Sequence, residues 1–286
     1  MAILPGQRCD EEEEKKEDPM VQEILIRGGA PLRPDHELST SLSLGERITK
    51  GKTILLLSNL VTPDELDYLV ESSIAAADAQ TDKQDGDMIC TLEEGYKGKV
   101  FIRMPLFAAA QRENCTDGLP ESISLKLEEI LWRALDCMDR QVCPSLKATV
   151  LNVSQDDNTT DASMAGLFHN QQLQFSIREP AINVYRAPHG HFAMHKDGRD
   201  LTILMSLSDP TQQFTGGGTA FWSQSFPHEG LDEPSLILAP PPGTAMVFGG
   251  KVSHKGCHIR TGTRVMFVAS FNRPMAQEKE EETKEG

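Results

Sequence analysis

The residues best suited to chemistry in this chain are two histidines, one aspartate and one arginine. His195 and Asp197 are separated by a single lysine, His254 lies downstream, and Arg264 follows ten residues after His254. Two imidazoles and one carboxylate can occupy one face of a ferrous ion and leave three positions open for other ligands. A nearby guanidinium would supply a fixed cation for the far carboxylate of an organic-acid cosubstrate. The spacing therefore predicts a metal centre with an anion site beside it.

Short strands are predicted to position these four residues. Residues two apart on a strand point to the same side, so His195 and Asp197 can both face inward from one strand or its end. Apolar, β-branched and aromatic runs are typical of strands. Such runs occupy residues 182–185, 201–207, 244–248 and 265–271. We expect His254 to follow the third run and Arg264 to open the fourth.

The stretch from about residue 182 to residue 271 resembles the 2-oxoglutarate- and Fe(II)-dependent dioxygenases, and specifically their prolyl 4-hydroxylase-like branch. The matching motifs are Tyr185 ten residues before His195, HKD at 195–197, TGGGT at 215–219, PGTAMVF at 242–248, His254, and GTR at 262–264. Residues 52–57 and 60–66 also look like the opening strand and helix of that branch. The resemblance thus extends over most of residues 51–274.

This resemblance implies an α+β, mainly β fold: a double-stranded β-helix, which is a jelly roll related to the cupins, with supporting N-terminal helices. It implies Fe(II) held by His195, Asp197 and His254, and 2-oxoglutarate held through its distal carboxylate by Arg264. His258 is a rival metal ligand, but its interval of six residues to Arg264 does not fit the family pattern. The implied reaction is hydroxylation of a small-molecule or peptidyl substrate, such as a peptidyl proline, by O₂. Succinate and CO₂ would be released, with L-ascorbate as the reductant.

The sequence does not decide which hydroxyl group would bond the far carboxylate of the cosubstrate. Many relatives place a tyrosine on the strand after the HxD motif, whereas the corresponding stretch here offers Met205 and Ser206. Either Tyr185 or Ser206 can supply the missing hydroxyl. Residues 152–170 have no assignable counterpart in the family. The three glycines at 216–218 lack the lysine of a phosphate-binding loop, so they favour a hairpin or bulge.

Composition suggests one large domain with acidic ends. The chain has 286 residues and a formal net charge of −15. Residues 10–18 hold seven acids against two lysines, and residues 278–285 hold five against two. We expect an acidic, largely disordered segment over 1–50 and a dioxygenase domain over 51–274, followed by an acidic tail over 275–286. Within the domain, 51–150 would be helical support and 175–274 the β-helix core.

The helical support is predicted from two apolar stripes. One helix would begin with a cap at Thr62 or Asp64 and run to about residue 77, and another would cover 120–138. The polar residues 81–99 between them favour a loop.

Other function classes are less well supported by the composition. The acidic charge argues against nucleic-acid binding, and no apolar stretch is long enough for a signal peptide or a membrane span. A cytoplasmic or nuclear location is therefore expected. The six cysteines show no metal-binding spacing and receive no role. Two alternatives to the hydroxylase are a cupin-like iron dioxygenase without a 2-oxo acid cosubstrate and a non-catalytic β-helix binding module. Arg264 argues against the first, and the intact set of site residues argues against the second.

Overall fold

A computed structural model describes residues 19–26, 42–82, 101–114, 116–141, 163–188, 190–223 and 233–272 of the chain. Within these ranges the strands are β1 Met20–Leu25, β2 Thr53–Ser58, β3 Phe101–Pro105, β4 Gln174–Phe175, β5 Ala181–Arg186, β6 Phe192–His195, β7 Leu201–Ser206, β8 Phe214–Gly216, β9 Thr219–Trp222, β10 Leu236–Leu238, β11 Ala245–Gly249, β12 Ser253–Gly256 and β13 Ile259–Asn272. The helices are α1 Leu44–Thr49, α2 Pro63–Asp82, α3 Phe107–Arg112, α4 Glu121–Gln141 and α5 Met164–His169.

The strands form a larger and a smaller antiparallel sheet. The larger has the order β1-β2-β11-β7-β13-β5-β3, with β4 and β8 also pairing with β13, and the smaller has the order β10-β9-β12-β6. The 14-residue strand β13 is the hub, since it pairs with β4, β5, β7 and β8. This arrangement confirms the predicted mainly β class and is consistent with a jelly-roll-like fold.

The two faces of the larger sheet pack against different elements. On β13, Val265, Phe267 and Phe271 join the main core together with the buried face of α4, whereas Met266 joins a second core. The second core also contains Phe248 of the larger sheet and Phe221 of the smaller one. Side chains alternate along a strand, so one face of β13 packs on the helices and the other faces the smaller sheet.

Helix α2 begins with a capping box. Thr62 Oγ1 accepts a bond from the backbone N–H of Glu65 (3.3 Å), and the backbone N–H of Thr62 donates to Glu65 Oε2 (3.0 Å). Pro63 in the first turn costs no hydrogen bond there. Two further bonds from Arg133 of α4, at 2.7 and 2.8 Å, lower the pKa of Glu65 to about 2. Both predicted helices are confirmed, with Thr62 as the cap and the end of α2 five residues later than expected.

The predicted domain boundary near residue 50 is wrong. Strand β1 pairs with β2 from Met20 opposite Ser58 to Leu25 opposite Thr53, and Ile26 is buried behind it. Without β1, strand β2 would expose a row of unpaired backbone groups at the sheet edge. The N-terminal segment therefore contributes an edge strand, and α1 with it, to the folded domain.

The region 51–150 is also more than helical support. Strand β2 lies between β1 and β11, and β3 pairs with β5, so both belong to the larger sheet. The acidic runs 10–18 and 278–285 lie outside the described residues, as do most of the predicted loop 81–99 and the first part of 152–170. The rest of that last segment contains α5. In the described parts of the chain, no helix is both long and apolar enough to cross a membrane.

Candidate metal centre and adjoining cavity

The structure brings His195, Asp197 and His254 together at one point. His195 ends β6 and lies directly opposite His254 of β12 in the smaller sheet, and Asp197 follows β6 by two residues. One ligand atom from each residue lies within 4.8 Å of the other two. The separation is 3.2 Å between His195 Nε2 and Asp197 Oδ1, and 3.6 Å between His254 Nε2 and Asp197 Oδ2. One neighbourhood thus holds two imidazole nitrogens and a carboxylate.

Backbone carbonyls set the tautomer of both histidines. Nδ1 of His195 lies 2.9 Å from the carbonyl oxygen of Ala193, and Nδ1 of His254 lies 3.1 Å from that of Val252. A carbonyl can only accept, so each Nδ1 carries the proton and each Nε2 keeps its lone pair in the neutral ring. Metal-bound histidines are oriented in this way. Burial lowers the pKa of His254 to about 4, which keeps its ring neutral at neutral pH.

The third ligand candidate is held by Thr202, at the start of β7. Thr202 Oγ1 donates a 2.6 Å hydrogen bond to Asp197 Oδ2. Burial alone would raise the pKa of Asp197, but His254, His195 and the bond from Thr202 outweigh it and hold the pKa well below its usual range. Asp197 is therefore a charged carboxylate with one oxygen fixed by a neighbouring strand.

Aromatic rings support the first histidine. The Phe192 ring stacks on His195 with centroids 4.1 Å apart, and the Phe101 ring stacks on Phe192 at 5.1 Å. These rings restrict the imidazole plane of His195, so the direction of its Nε2 lone pair is fixed before any metal binds.

A cavity of about 470 Å³ adjoins the three residues. Its apolar lining consists of Phe101, Ile177, Phe192, Leu204, Met266 and Val268. Its polar lining includes Arg103, Ser176, Arg178, Glu179, Asn183, Tyr185, Lys196, Arg199 and Arg264. The size suits a dicarboxylic acid together with part of a second small molecule.

Arg264 lies in this cavity without a counter-ion from the described residues. Its side chain is on β13 and the residue is only 4% exposed. One terminal nitrogen, Nη1, donates to the carbonyl oxygen of Gly218 (3.0 Å), while Nε is buried without a partner. Burial lowers the pKa of Arg264, and no carboxylate in the described part of the chain pairs with it. A buried, unpaired cation is costly, and an anionic ligand would offset that cost.

The position of Arg264 along its strand differs from the expectation. It does not open the strand, because β13 begins five residues earlier at Ile259. The glycines at 216–218 all have positive φ and form the turn from β8 in the larger sheet to β9 in the smaller one. A Cβ on Gly217 would lie 2.9 Å from the Phe214 ring and 3.6 Å from Cδ of Arg264. Glycine at this position therefore leaves room for both side chains.

Of the two hydroxyl candidates, the structure brings Tyr185 to Arg264 and not Ser206. Tyr185 lies directly opposite Arg264 on β5, lines the cavity, and accepts a 3.3 Å bond from Asn183 through its hydroxyl. Ser206 lies opposite Met266, donates to the carbonyl oxygen of Ser208 (3.1 Å), and does not line the cavity.

The rival histidine lies elsewhere. His258 is exposed and stacks on His191 with centroids 4.0 Å apart. It is outside the group of metal-ligating atoms that the structure brings together, so His254 occupies the position of the second imidazole.

A buried ion pair on the cavity wall had no counterpart in the sequence analysis. Glu179 Oε2 accepts bonds from the backbone N–H and the hydroxyl of Ser270 (2.6 and 2.7 Å). Its Oε1 accepts from Arg103 at 3.2 Å, and Arg103 also donates to Asn183 Oδ1 at 3.0 Å. Burial raises the pKa of Glu179, while Arg103 and Ser270 oppose the rise. The network joins β3, β5 and β13 along one side of the cavity.

The sequence matches no family model and no curated protein. Three solved structures are similar to parts of the chain. An oxidoreductase of the 2OG-Fe(II) oxygenase family from Burkholderia pseudomallei is 22% identical over 34% of this chain and 43% of its own, with a TM-score of 0.26. The chain thus spans less than half the length of that relative.

The other two similar structures align with more of this chain. The viral collagen prolyl hydroxylase from Paramecium Bursaria Chlorella virus-1, in complex with 2OG, is 13% identical over 80% of this chain and 99% of its own, with a TM-score of 0.46. The alpha ketoglutarate dependent epimerase SnoN from nogalamycin biosynthesis is 13% identical over 77% and 78%, with a TM-score of 0.44. All three of these TM-scores lie below 0.5.

Proposed function

We propose that this chain is an Fe(II)- and 2-oxoglutarate-dependent dioxygenase that hydroxylates an organic substrate and releases succinate and CO₂. The observation that carries this proposal is the buried guanidinium of Arg264, which has no carboxylate partner among the described residues and shares a cavity with the His-Asp-His group. The three ligands alone suit many metals and reactions. A buried cation beside them is what an acidic cosubstrate requires.

The residues present fit a ferrous ion. His195 and His254 offer Nε2 lone pairs and Asp197 a charged carboxylate, which is the ligand set that non-haem iron oxygenases use. Thr202 would hold the carboxylate in place through its bond to Oδ2. When bound together, the ferrous ion and the 2-oxo acid reduce O₂ and supply the oxidant that hydroxylates a C–H bond.

The residues around Arg264 fit the far end of 2-oxoglutarate. Its Nε–H lacks a partner, and a planar guanidinium binds a carboxylate better than an ammonium does. The Tyr185 hydroxyl accepts from Asn183, which leaves its own proton available for the same carboxylate. The apolar wall that includes Leu204 and Met266 would exclude water around the acid and strengthen this pairing.

The finer parts of the proposal depend on the family resemblance. These are L-ascorbate as the reductant, a peptidyl proline as one of the candidate substrates, and a cytoplasmic or nuclear location. The shared cavity is compatible with either a small molecule or a side chain of a peptide.

The test is to measure metal content and cosubstrate turnover in the purified protein. We expect about one Fe(II) per chain and formation of succinate from 2-oxoglutarate under air, both lost in His254→Ala. Consumption of O₂ with no succinate would favour a cupin-like iron dioxygenase that needs no cosubstrate. Failure to bind iron would favour a non-catalytic binding module.

A further inference from the structure

The solvent-facing end of the cavity is rich in positive charge. Two segments line this end: residues 176–179 before β5 and residues 196–199 after β6. They carry three cations, Arg178, Lys196 and Arg199, and two carboxylates, which are Glu179 in its pair with Arg103 and the candidate metal ligand Asp197; the chain as a whole has a formal net charge of −15. Ile177 lies in the same lining and is 66% exposed, which shows that this end opens to solvent. Positive charge at this end of the cavity would attract an anion.

Arg199 is a cation of this rim whose side chain and backbone are held in place by hydrogen bonds. Its Nε donates a 2.8 Å bond to Ser176 Oγ, which is itself 2.8 Å from Ser270 Oγ. The backbone on either side is fixed as well, since Gly198 N–H donates to the Gly250 carbonyl (2.9 Å) and Asp200 N–H to the Phe271 carbonyl (3.2 Å). The guanidinium is thus held at one edge by the protein.

The other edge of this guanidinium has no partner. In the described part of the chain, no carboxylate lies within ion-pair distance of Arg199, and no hydrogen bond is made by its two terminal nitrogens. Arg178, by contrast, pairs with Asp117, and Arg103 pairs with Glu179. Two terminal N–H groups on one edge form the planar fork that binds both oxygens of a carboxylate.

Among the arginines that line the described cavity, Arg199 is the one whose charge stays unmatched when the site is filled. This step rests on the proposed function. The ferrous ion, Asp197, the doubly charged 2-oxoglutarate and Arg264 neutralise one another, and the pairs formed by Arg103 and Arg178 are already neutral. The positive charge of Arg199 at the rim is therefore available to the substrate that is oxidised.

We propose that Arg199 binds the carboxylate of the primary substrate, a small organic acid whose aliphatic part lies against Ile177 and the apolar wall of the cavity. Arg199 follows Asp197 by two residues, which limits the separation of their backbones to about 7 Å. An exposed apolar side chain beside the cation favours an organic acid over an inorganic anion.

The experiment uses full-length protein with Fe(II) and 2-oxoglutarate under anaerobic conditions, so that the cosubstrate occupies Arg264 and no turnover occurs. The probes are N-acetyl-leucine and its neutral amide, N-acetyl-leucinamide, with binding measured by ligand-observed NMR. We expect the acid to bind at least about ten-fold more tightly than the amide. Arg199→Gln should abolish this preference, and Arg199→Lys should keep part of it.

The matched control is Arg260→Gln, because Arg260 is exposed on β13 and does not line the cavity. This variant should keep the full preference for the acid. The visible absorption band of the chelate between Fe(II) and 2-oxoglutarate is recorded for every variant, which shows whether each is folded and loaded.

Four results would overturn the inference: equal binding of acid and amide, failure of both to bind, an acid preference that survives in Arg199→Gln, or a preference for isobutyl phosphate over the acid. The last would assign the rim to phosphate esters. Absence of the chelate band in the unaltered protein would count against the proposed function. A normal band without any effect of Arg199 would count against this inference alone.

Discussion

Arg264→Gln separates a ligand-binding role from a structural one. The substitution removes a buried positive charge and leaves a polar side chain near the Gly218 carbonyl, which accepts from Arg264 Nη1. In most proteins, losing one half of a buried ion pair is destabilising because the other half stays behind. In the described residues no carboxylate depends on Arg264, so the fold should not suffer this loss. We expect the thermal midpoint to stay unchanged or to rise slightly.

The Arg264→Gln substitution should instead weaken the binding of 2-oxoglutarate. Truncating one partner of a buried, hydrogen-bonded charge pair costs about 2–5 kcal/mol, and every 1.4 kcal/mol is about a factor of ten. The affinity should therefore fall by roughly 30-fold to several thousandfold. Arg264→Lys should recover part of the loss, because an ammonium keeps the charge without the planar fork. Iron binding should change little, because the metal ligands lie on other segments.

The assay is an anaerobic titration of the Fe(II) protein with 2-oxoglutarate, paired with thermal unfolding of the metal-free protein. Arg260→Gln is the control on the same strand, because this arginine is exposed and lies outside the cavity lining. An unchanged requirement for 2-oxoglutarate in Arg264→Gln, or a larger one in Arg260→Gln, would refute the assignment of the anchor. A large fall in the thermal midpoint with unchanged affinity would make Arg264 a structural residue.

Three further outcomes follow from the site and from the sheet edge. Asp197→Ala should abolish iron binding and turnover while His258→Ala keeps both, and the reverse result would place the metal elsewhere. Thr202→Val should weaken iron binding by about 10–100-fold, because it removes the hydrogen bond that orients a ligand, whereas Ser206→Ala on the same strand should not. Deleting residues 1–26, but not 1–18, should lower the thermal midpoint by about 3–12 °C, because burying one isoleucine contributes about 1.5–3 kcal/mol and each kcal/mol shifts the midpoint by about 2–4 °C. Equal midpoints for the two deletions would mean that β1 contributes little to stability.

The proximity of His195 and Asp197 could be predicted because it depends on short-range geometry. His195 and Asp197 are two residues apart at the end of one strand, and alternation places such residues on one side. Strands β5, β7 and β11 could also be predicted, since strands of this kind have a recognisable composition. Local pattern was enough for these elements.

The register between neighbouring strands could not be predicted from the sequence. Tyr185 and Ser206 both lie on strands adjacent to β13, and the sequence could not decide between them. The structure aligns Tyr185 with Arg264 but aligns Ser206 with Met266, two residues further along the strand. Register depends on which whole faces pack together, so no pair of residues specifies it locally.

Contacts between distant segments were missed for a related reason. Arg103 and Glu179 are 76 residues apart, and they meet only because β3 adds to the edge of β5. Thr202 is five residues from Asp197, but β7 belongs to the larger sheet and the strand before Asp197 to the smaller one. Thr202 is one of two polar residues in the run 201–207, and this was the available signal. Its partner could not be predicted without knowing that the chain crosses from one sheet to the other.

The two halves of the candidate site belong to different sheets, and this affects how the site can be perturbed. His195 and His254 lie in the smaller sheet, whereas Arg264 lies in the larger one. Phe248 of the larger sheet packs edge-on against both His254 and Phe221, with centroids 4.9 and 5.1 Å apart. Aromatic packing between the sheets therefore helps to set the distance from the candidate metal ligands to Arg264. The proposed cosubstrate would contact both ends at once, so its binding would depend on this core as well as on the residues that touch it.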